Sequence, residues 1–124
     1  KDPFELFVVQ NVVLDGLMYP LVYDTIIDDV LSSQGGTPVA MLTQFMTDWF
    51  AETKKWSDAT VKIAAAESAE NKQVLAQWLT EWRDRAASAL LPVARIALGD
   101  RTDTVMADVV QQFNARMAKA GVAI

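Results

Sequence analysis

The sequence predicts an all-α fold, and three observations carry that reading. Apolar residues recur three or four positions apart through most of the 124-residue chain, no stretch alternates apolar and polar residues long enough for a strand, and no Gly or Pro interrupts the span between Pro38 and Pro92. A chain of this length buries roughly two-thirds of its unfolded surface in one core, so a single all-α domain over residues 1–124 is expected.

The first helix is predicted from about Phe4 towards Leu31. Phe4, Phe7, Val8, Val12, Leu17, Met18 and Leu21 are spread too widely round its circumference for a surface helix, so it is expected to be central and covered by a second chain or by further residues. Pro20 falls inside it and crowds the carbonyl of Gly16, four residues earlier, which predicts a kink. Ser32-Ser33-Gln34-Gly35-Gly36 ends this helix, and Thr37-Pro38 sets a capping hydroxyl before a proline at the first position of the next.

On the second helix Leu42, Trp49, Trp56 and Ile63 repeat every seven residues, with Val39, Phe45 and Met46 beside them and Asp48, Lys55 and Lys62 on the opposite face. A break is placed at Glu67-Ser68-Ala69-Glu70-Asn71, with Ser68 as cap. The third helix carries Leu75, Leu79, Trp82, Ala86 and Leu90, pairs Glu81 with Arg85, and is expected to end near Pro92. Gly99-Asp100-Arg101 makes the next turn. From Thr102 the positions Val105, Met106, Val109, Val110, Phe113 and Met117 form one stripe, and Gly121 ends the fourth helix.

Composition excludes much chemistry. With no cysteine and no histidine, disulfide scaffolds, zinc fingers, catalytic triads and histidine-ligated metals are all ruled out. The net charge of −5 has the wrong sign for nucleic acid or an anionic membrane. Residues 1–64 hold 9 acidic and 4 basic side chains, whereas residues 65–124 hold 7 of each. Lys1-Asp2-Pro3 has no signal-peptide character and reads as the interior of a longer chain. The apolar stretch Leu6 to Tyr23 has the length of a membrane span, but Gln10, Asn11 and Asp15 lie in its middle, so it is read as a buried helix of a soluble protein. Missing cysteines agree with a cytoplasmic location.

No cofactor motif is present, since Gly35-Gly36 is only a turn. Glu52-x-x-Lys55 has the spacing of a Glu-x-x-His metal motif, but an ammonium repels a cation. Glu67-x-x-Glu70 offers two carboxylates beside a helix break. Asp24, Asp28 and Asp29 make an acidic helix end, either solvated or facing a basic partner. Trp49, Trp56, Trp78 and Trp82 suit core packing or a protein interface. Gln10, Asn11 and Asp15, on an otherwise apolar helix, are candidates to bond another helix or chain, with simple exposure as the alternative. Tyr19 and Tyr23 join Trp49 and Trp56 as candidate interface aromatics.

Three segments carry a family resemblance: Phe7-Val-Val-Gln-Asn-Val-Val-Leu-Asp-Gly-Leu-Met-Tyr-Pro-Leu-Val-Tyr-Asp24, Met41-Leu-Thr-Gln-Phe-Met-Thr-Asp-Trp-Phe-Ala-Glu-Thr-Lys-Lys-Trp56 and Ala64-Ala-Ala-Glu-Ser-Ala-Glu-Asn71. They resemble the β subunit of bacterial multicomponent phenol hydroxylases, relatives of the toluene and methane monooxygenases, most closely between Lys1 and Trp82 and least after Pro92. The resemblance implies the C-terminal portion of a longer, ferritin-like helical bundle, of about four helices here. It places Glu52-x-x-Lys55 where the catalytic α subunit would carry its second Glu-x-x-His motif.

It further implies a non-catalytic structural subunit with no cofactor of its own. Its partners would be a di-iron α subunit, a γ subunit and a second β copy. In that complex α uses iron, dioxygen and NADH-derived electrons to hydroxylate phenol. The alternatives from the residues are a stand-alone helical dimerisation module and an enzyme using Glu67 and Glu70.

Overall fold

The computed structural model describes residues 2–124. Every regular element among them is helical: α1 (Pro3–Phe7), a π-helical segment π1 (Val8–Leu14), α2 (Asp15–Tyr19), a second π-helical segment π2 (Pro20–Gly36), α3 (Thr37–Glu67), α4 (Ala69–Leu98), a 3₁₀ turn (Gly99–Arg101) and α5 (Thr102–Lys119). Two helices are long, α3 with 31 residues and α4 with 30, where the sequence predicts about four. The expected first helix is instead a succession of α- and π-type segments, and α5 has 18 residues.

Pro20 lies inside the N-terminal run, in helical conformation (φ −60°, ψ −41°). It has no N–H for the Gly16 carbonyl. The hydrogen bonding passes from α to π type at this residue, and an i+5 donor is what the wider turn offers in place of the missing i+4 one. No residue type in Val8–Leu14 accounts for the first π segment. The chain reverses at Gln34 and Gly35, where Gly35 takes φ +85°, a conformation that a side chain disfavours.

Three boundaries differ from expectation. Thr37 is already helical (φ −50°, ψ −42°), so α3 begins at it, Gly36 is the cap, and the Thr37 hydroxyl makes no capping bond. Pro92 does not end the third helix, because α4 runs through it to Leu98. Pro92 and Ser88 are both exposed, so water reaches the carbonyl that the proline leaves without a donor. The break at Ser68 is as expected: its hydroxyl accepts from the Asn71 N–H at 3.0 Å.

The N-terminal run is the centre of the fold. Val8, Val12, Val13, Leu17 and Leu21 are wholly buried, packed with Val61 of α3, Leu75 and Leu79 of α4, and Phe113 and Met117 of α5. Part of its broad apolar circumference is thus met by helices of its own chain, while Phe7, Val9, Met18 and Val22 are half-buried and Leu6 and Leu14 exposed. α3 folds back antiparallel on it, as Phe7 meets Trp56, Tyr19 meets Phe50 and Asp24 meets Thr47. α4 is tied to α1 by the Trp82 Nε1–H donating to Glu5 at 2.9 Å. α5 returns antiparallel to α4, its start held by Thr102 Oγ1 donating to the Gly99 carbonyl at 2.6 Å. The Arg83 guanidinium donates to Asn114 at 3.0 Å further along the same pair.

Candidate interaction face

α3 has two faces, and the larger side chains are on the one that points outward. Its buried residues are small, Ala40, Ser57 and Ala65 with Val61, and they let the N-terminal run approach closely. The heptad stripe lies about 140° away round the helix at 3.6 residues per turn. Leu42 is 74% exposed, Phe45 63%, Trp49 63%, Trp56 48% and Ile63 71%. The core reading of Trp49 and Trp56 is thereby corrected. Of the aromatics on α3, Phe50 and Trp56 also touch the N-terminal run, at Tyr19 and Phe7. A contiguous apolar stripe of this kind on a soluble surface is the signature of a docking face. Trp78 and Trp82 are half-buried and pack against the core.

The other candidate interface residues lie on the N-terminal run. Gln10 is exposed and Asn11 half-buried, and neither side chain has a hydrogen bond among the described residues. Tyr19 stacks on Phe50 at 4.9 Å with rings 13° from parallel, and Tyr23 packs on Tyr19 at 5.2 Å. Burial, then the charge of Asp15, raises the Tyr19 hydroxyl above its ordinary value. These two tyrosines and Asp15 form a seam between the N-terminal run and α3, about halfway along it.

Burial pushes the Asp15 carboxyl above its usual 3.8, against a smaller lowering by Arg116. A carboxylate whose pKa is raised on folding costs stability while ionised, and the cost fades as pH falls through the raised value. Asp15→Asn is therefore expected to stabilise the chain at pH 7, with no gain near pH 3, in urea titrations at the two pH values. A stability loss at pH 7 would show that attraction to Arg116 outweighs burial. Burial also raises Asp24, which accepts from Thr47 Oγ1 at 3.3 Å. Asp28 and Asp29 are exposed and add to that rise.

The Glu52-x-x-Lys55 motif forms a surface ion pair, Nζ to Oε1 at 2.6 Å, with both side chains largely exposed. An ammonium in the second position does not fit a metal ligand set. Among the described residues no three Asp or Glu side chains converge as a metal-holding group. Glu67 binds the Asn71 amide at 3.2 Å instead of facing Glu70 across a site.

Spacing along the sequence gave no sign of Arg116. Its side chain is 9% exposed, its Nε donates to Asp58 at 2.6 Å and its Nη2 to Ser57 at 3.1 Å. Its Nη1 is buried with no hydrogen-bond partner, and its guanidinium carbon lies 5.8 Å from the centre of the Phe50 ring. Gly16 makes room for it, since a Cβ there would stand 2.8 Å from Nη1 and 3.0 Å from the Phe113 ring. The partners lie 58 and 59 residues away, beyond any local pattern.

Comparison with known proteins shows the family. Residues 1–68, more than half of the chain, match the family described as Methane/Phenol/Alkene Hydroxylase. The chain is 43% identical over 121 residues to the phenol 2-monooxygenase oxygenase component DmpL of Pseudomonas sp. (strain CF600), a match over 98% of this chain and 35% of that protein. It is 46% identical over 98 residues to the oxygenase component MhpL of Acinetobacter pittii (strain PHEA-2), over 79% of this chain and 29% of that one. The fold superposes with a TM-score of 0.88 and 39% identity on the crystal structure of xenon-pressurized phenol hydroxylase from Pseudomonas sp. OX1, across 98% of this chain and 36% of the other. The chain thus spans about a third of the length of these relatives. With a family match over residues 1–68 and an all-helical fold shared with a phenol hydroxylase, the chain belongs to the methane/phenol/alkene hydroxylase family.

Proposed function

We propose that this chain is the C-terminal part of a ferritin-like β subunit of a soluble, cytoplasmic phenol hydroxylase, and that its role is structural. The observation that supports this reading is the outward stripe of α3, Leu42 to Ile63, which is too apolar to face water in a working protein. Its occupants, on this reading, are the di-iron α subunit, the γ subunit and a second β copy. On this reading catalysis on the aromatic substrate belongs to α, and the exposed Glu52–Lys55 ion pair, at the position the resemblance equates with a ligand motif, supports it. The apolar stretch within Pro3–Glu67 is long enough for a membrane span by composition, but core helices of soluble proteins meet the same criterion.

Co-purification with a large iron-containing partner is the expected result when the longer protein is expressed with its hydroxylase. The purified chain alone is expected to hold no stoichiometric iron and to leave phenol unchanged. Lys55→His restores one nitrogen and no second carboxylate, so neither iron nor hydroxylation is gained. Stoichiometric iron or phenol turnover by the chain alone would overturn the structural role. A homodimer that binds no iron protein would favour the dimerisation module.

A further inference from the structure

Between α3 and α5 runs a groove whose charge is opposite to that of the chain. Its main cavity has a volume of about 420 Å³ and includes Lys54, Lys62, Lys119 and Arg116. It continues into a second cavity of about 270 Å³ that shares Lys62 and Lys119 and adds Lys72. The sole acidic side chain on either cavity is Asp58, which Arg116 holds at 2.6 Å. Among the described residues none of the four lysines has a carboxylate within ion-pair distance. Four of the chain's six lysines are thus gathered, unpaired, in one seam of a molecule whose net charge is −5.

The shape narrows the occupant. The floor is built of small residues, Ala59 and Ala65 from α3, Ala115 from α5 and Ala120 just after it, so a polypeptide backbone has room to approach. From Lys54 to Ala66 the groove extends about 18 Å at 1.5 Å rise per residue, the length of a dozen helical residues or about five extended ones. At its Lys54 end a small cavity of about 60 Å³ includes Gly16, Lys54, Gln112 and Arg116. The unpartnered Nη1 of Arg116, nine-tenths buried, faces Gly16 there. A buried guanidinium N–H without an acceptor is costly, and a carboxylate is the strongest acceptor for it.

We propose that the α3–α5 groove is a docking site for an acidic segment of a partner polypeptide, with its carboxylates on Lys54, Lys62, Lys72 and Lys119 and one reaching the Arg116 guanidinium. Lys54 and Lys62 leave α3 away from the apolar stripe, and Lys72 and Lys119 belong to α4 and α5, so this site is distinct from the α3 stripe. Net charge does not produce the attraction, because the chain as a whole repels an anion.

The test is fluorescence anisotropy of a labelled dodeca-glutamate peptide with the full chain at low ionic strength. Binding is expected, weakening with salt. Lys62→Glu with Lys119→Glu, both at exposed positions, is expected to weaken it at least about tenfold, and the milder Lys62→Gln with Lys119→Gln by less. Lys55→Glu, outside the groove, is expected to leave it unchanged. Equal affinity in the reversed variant, with its circular dichroism intact, would overturn the proposal, as would no binding by the unaltered chain. Full displacement by millimolar inorganic phosphate would assign a small-anion pocket instead. Stronger competition by a DNA duplex would assign nucleic acid. Self-association abolished by the same reversal would assign the groove to a second copy.

Discussion

Alanine at Phe113 is expected to destabilise the chain by about 3–5 kcal/mol, the range for losing a buried aromatic ring. The ring is 2% exposed and lies against the backbone of Gly16, its edge atoms 3.0 and 3.1 Å from the place a Cβ would occupy. Gly16 itself has no side chain to fill the space, and Arg116, which reaches the same place, is held by Asp58 and Ser57. Against a typical folding stability of about 5–15 kcal/mol this loss is large. Urea unfolding of Phe113→Ala, with an unchanged slope against denaturant, is the measurement. A loss below about 1 kcal/mol would mean that α5 moves in to close the gap, and that Gly16 is not a fixed contact.

Glutamate at both Phe45 and Trp49 is expected to abolish association with the iron-bearing partner while leaving the chain folded. Both side chains are 63% exposed, and surface substitutions change stability by roughly 0.5 kcal/mol or less. Aromatic anchors at the centre of an interface cost about 2 kcal/mol or more each when removed, and a buried unpaired carboxylate adds to that. The loss expected is therefore a thousandfold or greater in affinity, about 4 kcal/mol at 1.4 kcal/mol per decade, read by co-purification and sedimentation. Intact association by a well-folded double variant would show that the α3 stripe is not the contact.

The parts of the fold visible in the sequence are those where size and position agree. Leu75 and Leu79 on α4, and Val109, Phe113 and Met117 on α5, are large, periodic and buried, so their stripe pointed to the core. On α3 size and position disagree. Its buried residues are Ala40, Ser57, Val61 and Ala65 while Phe45 and Trp49 face outward, so size alone left core and interface open for the tryptophans. The Glu52–Lys55 pair followed from its spacing, since residues three apart share a helix face. The Arg116 cluster was invisible because arginine, aspartate and serine occur everywhere, and only the folded chain brings residues 57, 58 and 116 together. Gly16 was noticed for the proline that follows, whereas the approach of α5 is the stronger reason for it.

The central position of the N-terminal run has a consequence in time. Its buried valines and leucines are made before the residues that pack against them, Leu75 and Leu79 on α4 and Phe113 and Met117 on α5. At about 5–20 residues per second of synthesis, the stretch from Leu21 to Met117 takes about 5–20 s to emerge. During that interval this apolar run is on the nascent polypeptide without α4 and α5 to pack against it. The contacts that end the exposure, Glu5 with Trp82 and Asp58 with Arg116, span 77 and 58 residues, so the closing step waits for the C-terminal half.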